Sequence, residues 1–409
     1  EDVTQADVEK AIARGCTDLE SLKRYTGLAT GFCQGRSCLP HAARLLDQEI
    51  KTDQPLQPTT VRTPLVPIPL NILSQDVTLP AIYPSGAPIK GVEKEFPHPP
   101  QQLTALPAAC DIVIIGGGIM GLGAAYHLTK NGVRSVLVLE RSYINAGASG
   151  RNGGGIRAQW STEQNVLLMK ESIQLCREFA KEHHINIWLR QGGYLFLAKE
   201  VKRLEALHGF ARMQNRLGVP TRRVSADEAS QIAPGLYTQD IEGAVYNPED
   251  GVIFPWPFLW GYQRAAEARG AKVATFTPVL GIETQAGRIF GVHTARGFVR
   301  CQIVINAAAA WSPQVAAMVG VRLPNRPVRH EILVTESLRP FLEPLVCDLQ
   351  SGLYFSQSLR GEIVAGMGDP DQPVALETRS SLRFLFRIAR ALVARFPPLA
   401  NVKIVRQWA

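Results

Sequence analysis

The sequence predicts a mixed α/β chain, α+β overall. A parallel α/β domain is interrupted by an antiparallel sheet and preceded by a small helical module and a proline-rich linker. Three observations carry this. Apolar runs at 111–115 and 135–139 flank a glycine cluster and a helical stretch, which makes a βαβ unit of about thirty residues. Later strand-like runs, several of them alternating, interleave with helices, as a half-exposed antiparallel sheet requires. Twelve of the 28 prolines fall in 55–107 with no lasting period, and proline lacks the donor that a ladder needs.

Taken in order, residues 5–14 read as an amphipathic helix, with Ala6, Val8, Ala11 and Ile12 at helical spacing and Thr4 as N-cap. A second helix is expected over 18–25, then a glycine-rich loop over 26–38. Residues 1–48 thus form a module and 49–107 a linker. The strand at 111–115 leads through Gly116–Gly118 into a helix that runs to Lys130 and stops at Gly132. The strand at 135–139 closes on Glu140. Helices are expected over 163–184, 258–269 and 378–395. Strands are expected at 194–198, 244–246, 272–275, 288–293, 298–305, 332–335, 353–356 and 363–367. The expected division is a cofactor domain over 108–190 and 240–322 and a substrate domain over 191–239 and 323–396. Residues 397–409 would begin the return to the first.

Composition narrows the function. The 409 residues are 45% hydrophobic and 20% charged, with 44 Lys and Arg against 36 Asp and Glu, a net charge of +8. The basic residues are scattered, with no block of five, so nucleic acid is not an expected partner; an anionic substrate or cofactor accounts for the excess. No apolar run of about 18 residues escapes glycine or polar interruption, so no transmembrane helix is expected. Seven widely spread cysteines are unlike a secreted disulfide framework and suggest a reducing cytoplasm. The chain opens at Glu1 rather than Met and ends on the apolar run 405–409, which suggests a piece of a longer protein.

Chemistry announces itself at Gly116-x-Gly118-x-x-Gly121. Gly116 allows a tight turn, Gly118 lets the backbone approach a pyrophosphate, and Gly121 lets helix and strand pack closely. The helix N-terminus adds partial positive charge for the phosphates. Glu140, 19 residues beyond Gly121 at the end of the second strand, is placed to accept bonds from ribose hydroxyls. The motif fits NAD or FAD.

The next segment separates them. From Glu140-Arg141 the chain runs into Gly147-Ala-Ser149-Gly150-Arg-Asn152-Gly153-Gly154-Gly155-Ile-Arg157, and here it resembles the FAD-dependent amine and amino-acid oxidases of the D-amino-acid oxidase type. It is most like the flavin subunits of sarcosine oxidase, proline dehydrogenase, hydroxyproline dehydrogenase and opine oxidase complexes. Further matches are 191–196, 248–251, 277–279 and 304–312. The resemblance implies a Rossmann-like FAD domain and a flavin held along the 147–157 loop. It places Arg141, Ser149, Gly150, Asn152, Gly153, Gly154, Val279, Ala307 and Trp311 beside the cofactor. Gly150 stands where some relatives carry a histidine linked to flavin, so FAD is expected to be non-covalent. Ala309 replaces a glycine usual in the family. The flavin-covering segment of relatives would follow Ala409.

The resemblance also implies a substrate. Arg157 aligns with the arginine that binds the substrate carboxylate, a task suited to a planar fork. Tyr354 begins a strand where relatives present an aromatic to the substrate, and His330 faces either the flavin or Glu331. The implied reaction is oxidation of a secondary amino acid by hydride transfer to flavin N5, in one subunit of a heteromeric complex. The alternatives are a non-catalytic electron-transfer or scaffold subunit and an NAD-dependent dehydrogenase. The N-terminal module resembles the 2Fe–2S domain of bacterioferritin-associated ferredoxin, with Cys33 and Cys38 as two thiolate ligands. A cluster needs four, and the family's other Cys pair would precede Glu1.

Overall fold

The computed structural model describes residues 3–13, 16–31, 33–50, 56, 58, 59, 64, 66–75 and 105–409. Most of the expected linker lies outside the described residues. The parallel sheet has the order Ile303–Asn306, Ile112–Ile115, Val136–Leu139, Lys272–Ala274. Its two central strands are buried at every position, as continuous apolar runs covered on both faces should be. Ile112, Ile114, Val136 and Val138 face helices Ile119–Lys130 and Pro255–Glu267. Val113, Ile115, Leu137 and Leu139 face an antiparallel three-stranded sheet through Val292 and Val299. The glycine turn therefore sits at the carboxyl edge of a rigid, two-sided core.

The larger sheet has nine strands. Their order is Ile68–Pro69, Lys403–Trp408, Glu331–Ser337, Glu362–Met367, Leu353–Gln357, Leu345–Asp348, Tyr194–Ala198, Gly243–Asn247, Arg222–Val224. Because side chains alternate along a strand, one face buries Leu333, Ala365, Phe355, Val346 and Leu195 against Leu385, Ile388 and Leu392 of helix Leu382–Arg395. Each fully buried residue of this size contributes roughly 1.5–3 kcal/mol. The register puts a second row on the opposite face: Trp408, Ile332, Gly366, Tyr354, Cys347 and Phe196. That face looks toward the glycine-rich loop.

Two expectations change. The single strand expected over 298–305 is two, Gly297–Arg300 in the three-stranded sheet and Ile303–Asn306 in the parallel one; the break at Cys301 carries the chain from one layer to the other. Gly243–Asn247 falls within the expected cofactor domain but pairs with Tyr194–Ala198. Lys403–Trp408, in the segment expected to begin the return to the cofactor domain, pairs with Glu331–Ser337 in the large sheet. Helices Leu39–Ile50, Val201–Arg216 and Ala226–Ile232 were not anticipated.

The N-terminal helices Gln5–Ala13, Leu19–Thr26 and Leu39–Ile50 enclose Val8, Ala11, Leu22, Ala42 and Leu46. Thr4 caps the first as expected, its Oγ1 accepting from Asp7 N at 3.3 Å while the Asp7 carboxylate accepts from Thr4 N at 2.9 Å.

Candidate active site

The three glycines have distinct geometric reasons. Gly116 lies at φ +116°, and a Cβ there would meet Ala307 O at 2.4 Å. A Cβ at Gly121 would lie 1.9 Å from Gly116 O, so helix and strand touch through hydrogen. A Cβ at Gly118 would meet only Ser149 Oγ, at 3.1 Å; otherwise its backbone faces a cavity of about 440 Å³. Ser149 Oγ accepts from Ile119 N at 3.1 Å, which puts the hydroxyl at the helix N-terminus. Glu140 accepts from Gly117 N at 2.8 Å and Ser142 N at 2.9 Å. Burial raises its pKa, and those N–H bonds oppose the shift. Arg141 lies over the Trp311 ring at 3.9 Å, and Val279 and Ala307 complete the wall.

Two buried oxygens on this wall, Ser142 Oγ and Asn145 Oδ1, have no hydrogen-bond partner among the described residues. Buried polar atoms are seldom left so. Hydroxyl-seeking oxygens, open glycine backbone and a helix N-terminus form the donor and acceptor set of a dinucleotide site. Ala309, on the same wall, adopts φ +49°, the left-handed region that favours glycine.

The loop 147–157 crosses from this cavity to the large sheet. Two indoles hold its carbonyls: Trp256 Nε1 donates to Gly150 O at 2.8 Å, and Trp408 Nε1 to Arg151 O at 2.7 Å. Arg151 donates to Ala146 O at 2.7 Å and Ala409 O at 2.8 Å. Asn152 ties the turn internally, donating to Ser149 O and accepting from Gly154 N, both at 2.8 Å. A Cβ on Gly150 would strike Asn145 O at 2.2 Å, and one on Gly154 would strike Ile253 O at 2.0 Å. Gly153 faces the Tyr354 ring, and Gly155 leaves room for the Tyr194 hydroxyl. Arg151, Trp256 and Trp408 were not singled out in the sequence, since nothing local marks a side chain that bonds a distant carbonyl.

Across the loop, His330 Nε2 lies 3.0 Å from the Tyr354 hydroxyl, with the rings stacked 5.6 Å apart. Burial raises the Tyr354 pKa, and partial desolvation lowers that of His330, although its ring keeps contact with solvent. The contact His330 makes is with Tyr354. Glu331 points the other way, accepting from Ser381 N at 2.5 Å and Ser381 Oγ at 2.9 Å.

Arg157 lies two strands along the same face. Its guanidinium sits 4.4 Å from the Trp160 ring centre and 5.2 Å from that of Phe196. Its Nε is buried with no hydrogen-bond partner, and among the described residues no carboxylate pairs with it. Asp250 stiffens the segment behind it, accepting from Ala158 N at 2.7 Å, Asn247 Nδ2 at 2.7 Å and Gln159 Nε2 at 3.1 Å. Burial pushes the Asp250 carboxyl up to about 6 despite these bonds. Asp250 lay in a matched motif, yet its role needed the fold.

Cys33 and Cys38 stand in the N-terminal loop, while Cys16 and Cys38 pack against the module's apolar core. Among the described residues no group of three or more His, Cys, Asp or Glu is placed to hold a metal. Cys33 and Cys38 are two thiols where a 2Fe–2S cluster needs four ligands, so the residues described do not by themselves hold one.

Comparison with known proteins agrees with this geometry. The FAD dependent oxidoreductase family matches residues 111–409, and the sarcosine oxidase A3 domain matches residues 1–76. The N-terminal match thus falls on that domain rather than on the ferredoxin expected. Sarcosine oxidase subunit beta of Rhizobium meliloti is 32% identical over 303 residues, 73% of each chain. The L-proline dehydrogenase structure from P. horikoshii superposes with a TM-score of 0.71 at 32% identity, covering 74% of this chain and 81% of that one. The glycine oxidase structure from Geobacillus kaustophilus, at 24% identity and a TM-score of 0.67 over 74% of this chain and 82% of that one, shares the fold.

Proposed function

This chain belongs to the FAD dependent oxidoreductase family, and from that premise we propose that it oxidises the C–N bond of an amino-acid-like substrate. Its substrate class is a secondary amino acid such as sarcosine, proline, hydroxyproline or an opine. The observation that carries the substrate reading is Arg157, a guanidinium with a buried, partnerless Nε on the site face. A buried N–H without an acceptor is costly, and a substrate carboxylate supplies acceptors in the planar geometry the fork prefers.

The residues fit FAD: the 440 Å³ cavity carries the glycine turn, Glu140 and two unsatisfied oxygens. When bound, FAD supplies the two-electron acceptor for this oxidation. Gly116, Gly118, Gly121, Glu140, Ser149, Val279 and Ala307 would hold it, with Arg141 and Trp311 closing the outer end. Gly150 offers no atom for a covalent link. On the substrate side Arg157 fixes the carboxylate beside Phe196, whose strand lies two strands from that of Tyr354. With His330 in the tautomer that leaves Nε2 unprotonated, the Tyr354 hydroxyl donates to it and can accept from a substrate N–H. A proton leaving the amine therefore has a path to His330 Nε2.

Partner subunits follow from the likeness to a protein named as a subunit. Among the described residues no helix is long and apolar enough to cross a membrane, and the cysteine usage favours a reducing compartment, the cytoplasm. The scaffold alternative draws on Ala309 alone. Anaerobic mixing of the FAD-loaded chain with sarcosine, proline, hydroxyproline or an opine decides between them. Bleaching of the flavin's visible absorption supports catalysis; an unchanged spectrum with every secondary amino acid supports the scaffold.

A further inference from the structure

Helix Leu19–Thr26 has two faces. Leu19 and Leu22 enter the module's own core. Glu20, Lys23 and Arg24 recur at helical spacing on the other side, a charged stripe of the kind that ordinarily meets water. Here Glu20 is 9% exposed, Lys23 8% and the Arg24 side chain 13%. The stripe is turned into the main body. Tyr25 stacks on Trp260 at 4.4 Å, Arg24 lies over the Tyr143 ring at 5.2 Å, and Gln34 Nε2 donates to Val405 O at 2.5 Å.

Glu20 and Arg24 line two adjoining cavities. One is the cofactor cavity, with the Gly116–Gly118 turn; the other, of about 220 Å³, lies against loop residues Gly150–Gly153. Arg151 of that loop lines both as well. Burial lowers the Arg151 pKa, and the nearby Arg24 lowers it further. Two guanidinium groups thus line the same two cavities as Glu20, which Arg24 already holds at 2.7 Å. Like charges confined together need a counter-anion, and the glycine turn beside them opens a helix whose N-terminus suits phosphate.

We propose that Arg24 is a pyrophosphate ligand, so that the N-terminal module forms the second wall of the cofactor site in the main body. The inference rests on the FAD reading above. The two negative charges of the pyrophosphate would meet Arg24, Arg151 and the positive end of the helix that follows the glycine turn. Flavin retention is then coupled to docking of the module, although the sequence separates the two by a long linker.

The test is titration of the apo full-length chain with FAD, followed by quenching of flavin fluorescence, and in parallel with riboflavin, which lacks phosphate. Arg24→Gln should weaken FAD binding by about ten- to hundredfold, the worth of one charge-assisted contact. It should change riboflavin binding by less than about twofold. Arg24→Lys, which keeps the charge, should fall between and serves if the Gln variant misfolds. An unchanged FAD affinity, or equal losses for FAD and riboflavin, would overturn the proposal and leave the cofactor reading intact. Wild-type chain that binds neither flavin would overturn both.

Discussion

Replacing Arg157 by Met keeps an unbranched side chain between the Trp160 and Phe196 rings but removes the fork. In the folded protein Arg157 pairs with no carboxylate among the described residues, and its Nε is buried without a partner. Stability should change modestly, because the side chain's contacts with the two rings and its charge beside Asp250 are lost but no hydrogen bond or ion pair among the described residues is. Substrate binding should change much more. Each hydrogen bond to a charged group is worth about 1.5–3 kcal/mol, so losing a bidentate contact should cost about 3–4 kcal/mol of transition-state binding. At about 1.4 kcal/mol per decade, kcat/KM on the amino acid should fall by on the order of 10²–10³. Arg157→Lys keeps the charge and should lose less. The assay is steady-state oxidation with an artificial electron acceptor, run on a secondary amino acid and on a secondary amine without a carboxylate. On the amine, wild type and Arg157→Met should perform alike. Equal losses on both substrates would make Arg157 a structural residue and refute the reasoning.

Two further outcomes follow from backbone and burial. Ala309 at φ +49° carries a left-handed penalty of roughly 1–2 kcal/mol, partly offset by the greater freedom of glycine in the unfolded chain. Ala309→Gly should accordingly raise stability by about 0.5–1 kcal/mol in denaturant melts; a destabilised variant would contradict this. Asp250, raised from its ordinary 3.8 to about 6, binds its proton more tightly folded than unfolded. Its contribution therefore favours the fold below about pH 4 and is lost as pH rises to about 6, a change of about 3 kcal/mol. Asp250→Asn should lack this component, so the stability difference between variant and wild type should shift between pH 4 and 7. A constant difference across that range would refute the burial argument.

The elements of the parallel sheet were legible because their signals are local. The apolar runs at 112–115 and 136–139, the glycine turn and Glu140 lie within one βαβ unit, and the side-chain pattern of each strand reports burial on both faces. The loop 147–157 was legible for a similar reason: glycines at 150, 154 and 155 record close approaches that exclude a Cβ. Other features depended on partners far along the chain. Alternation marks Gly243–Asn247 and Lys403–Trp408 as strands, but only the register shows that both join the nine-stranded sheet. The pairing of His330 with Tyr354 spans 24 residues, and the bond from Trp408 to the Arg151 carbonyl spans 257. The charged stripe of Leu19–Thr26 reads as a solvent face in sequence and becomes a cavity wall only when the module docks. Periodicity and turn chemistry are properties of neighbouring residues, so a sequence displays them; the meeting of side chains from separate elements is set by packing of the whole core, which no local pattern encodes.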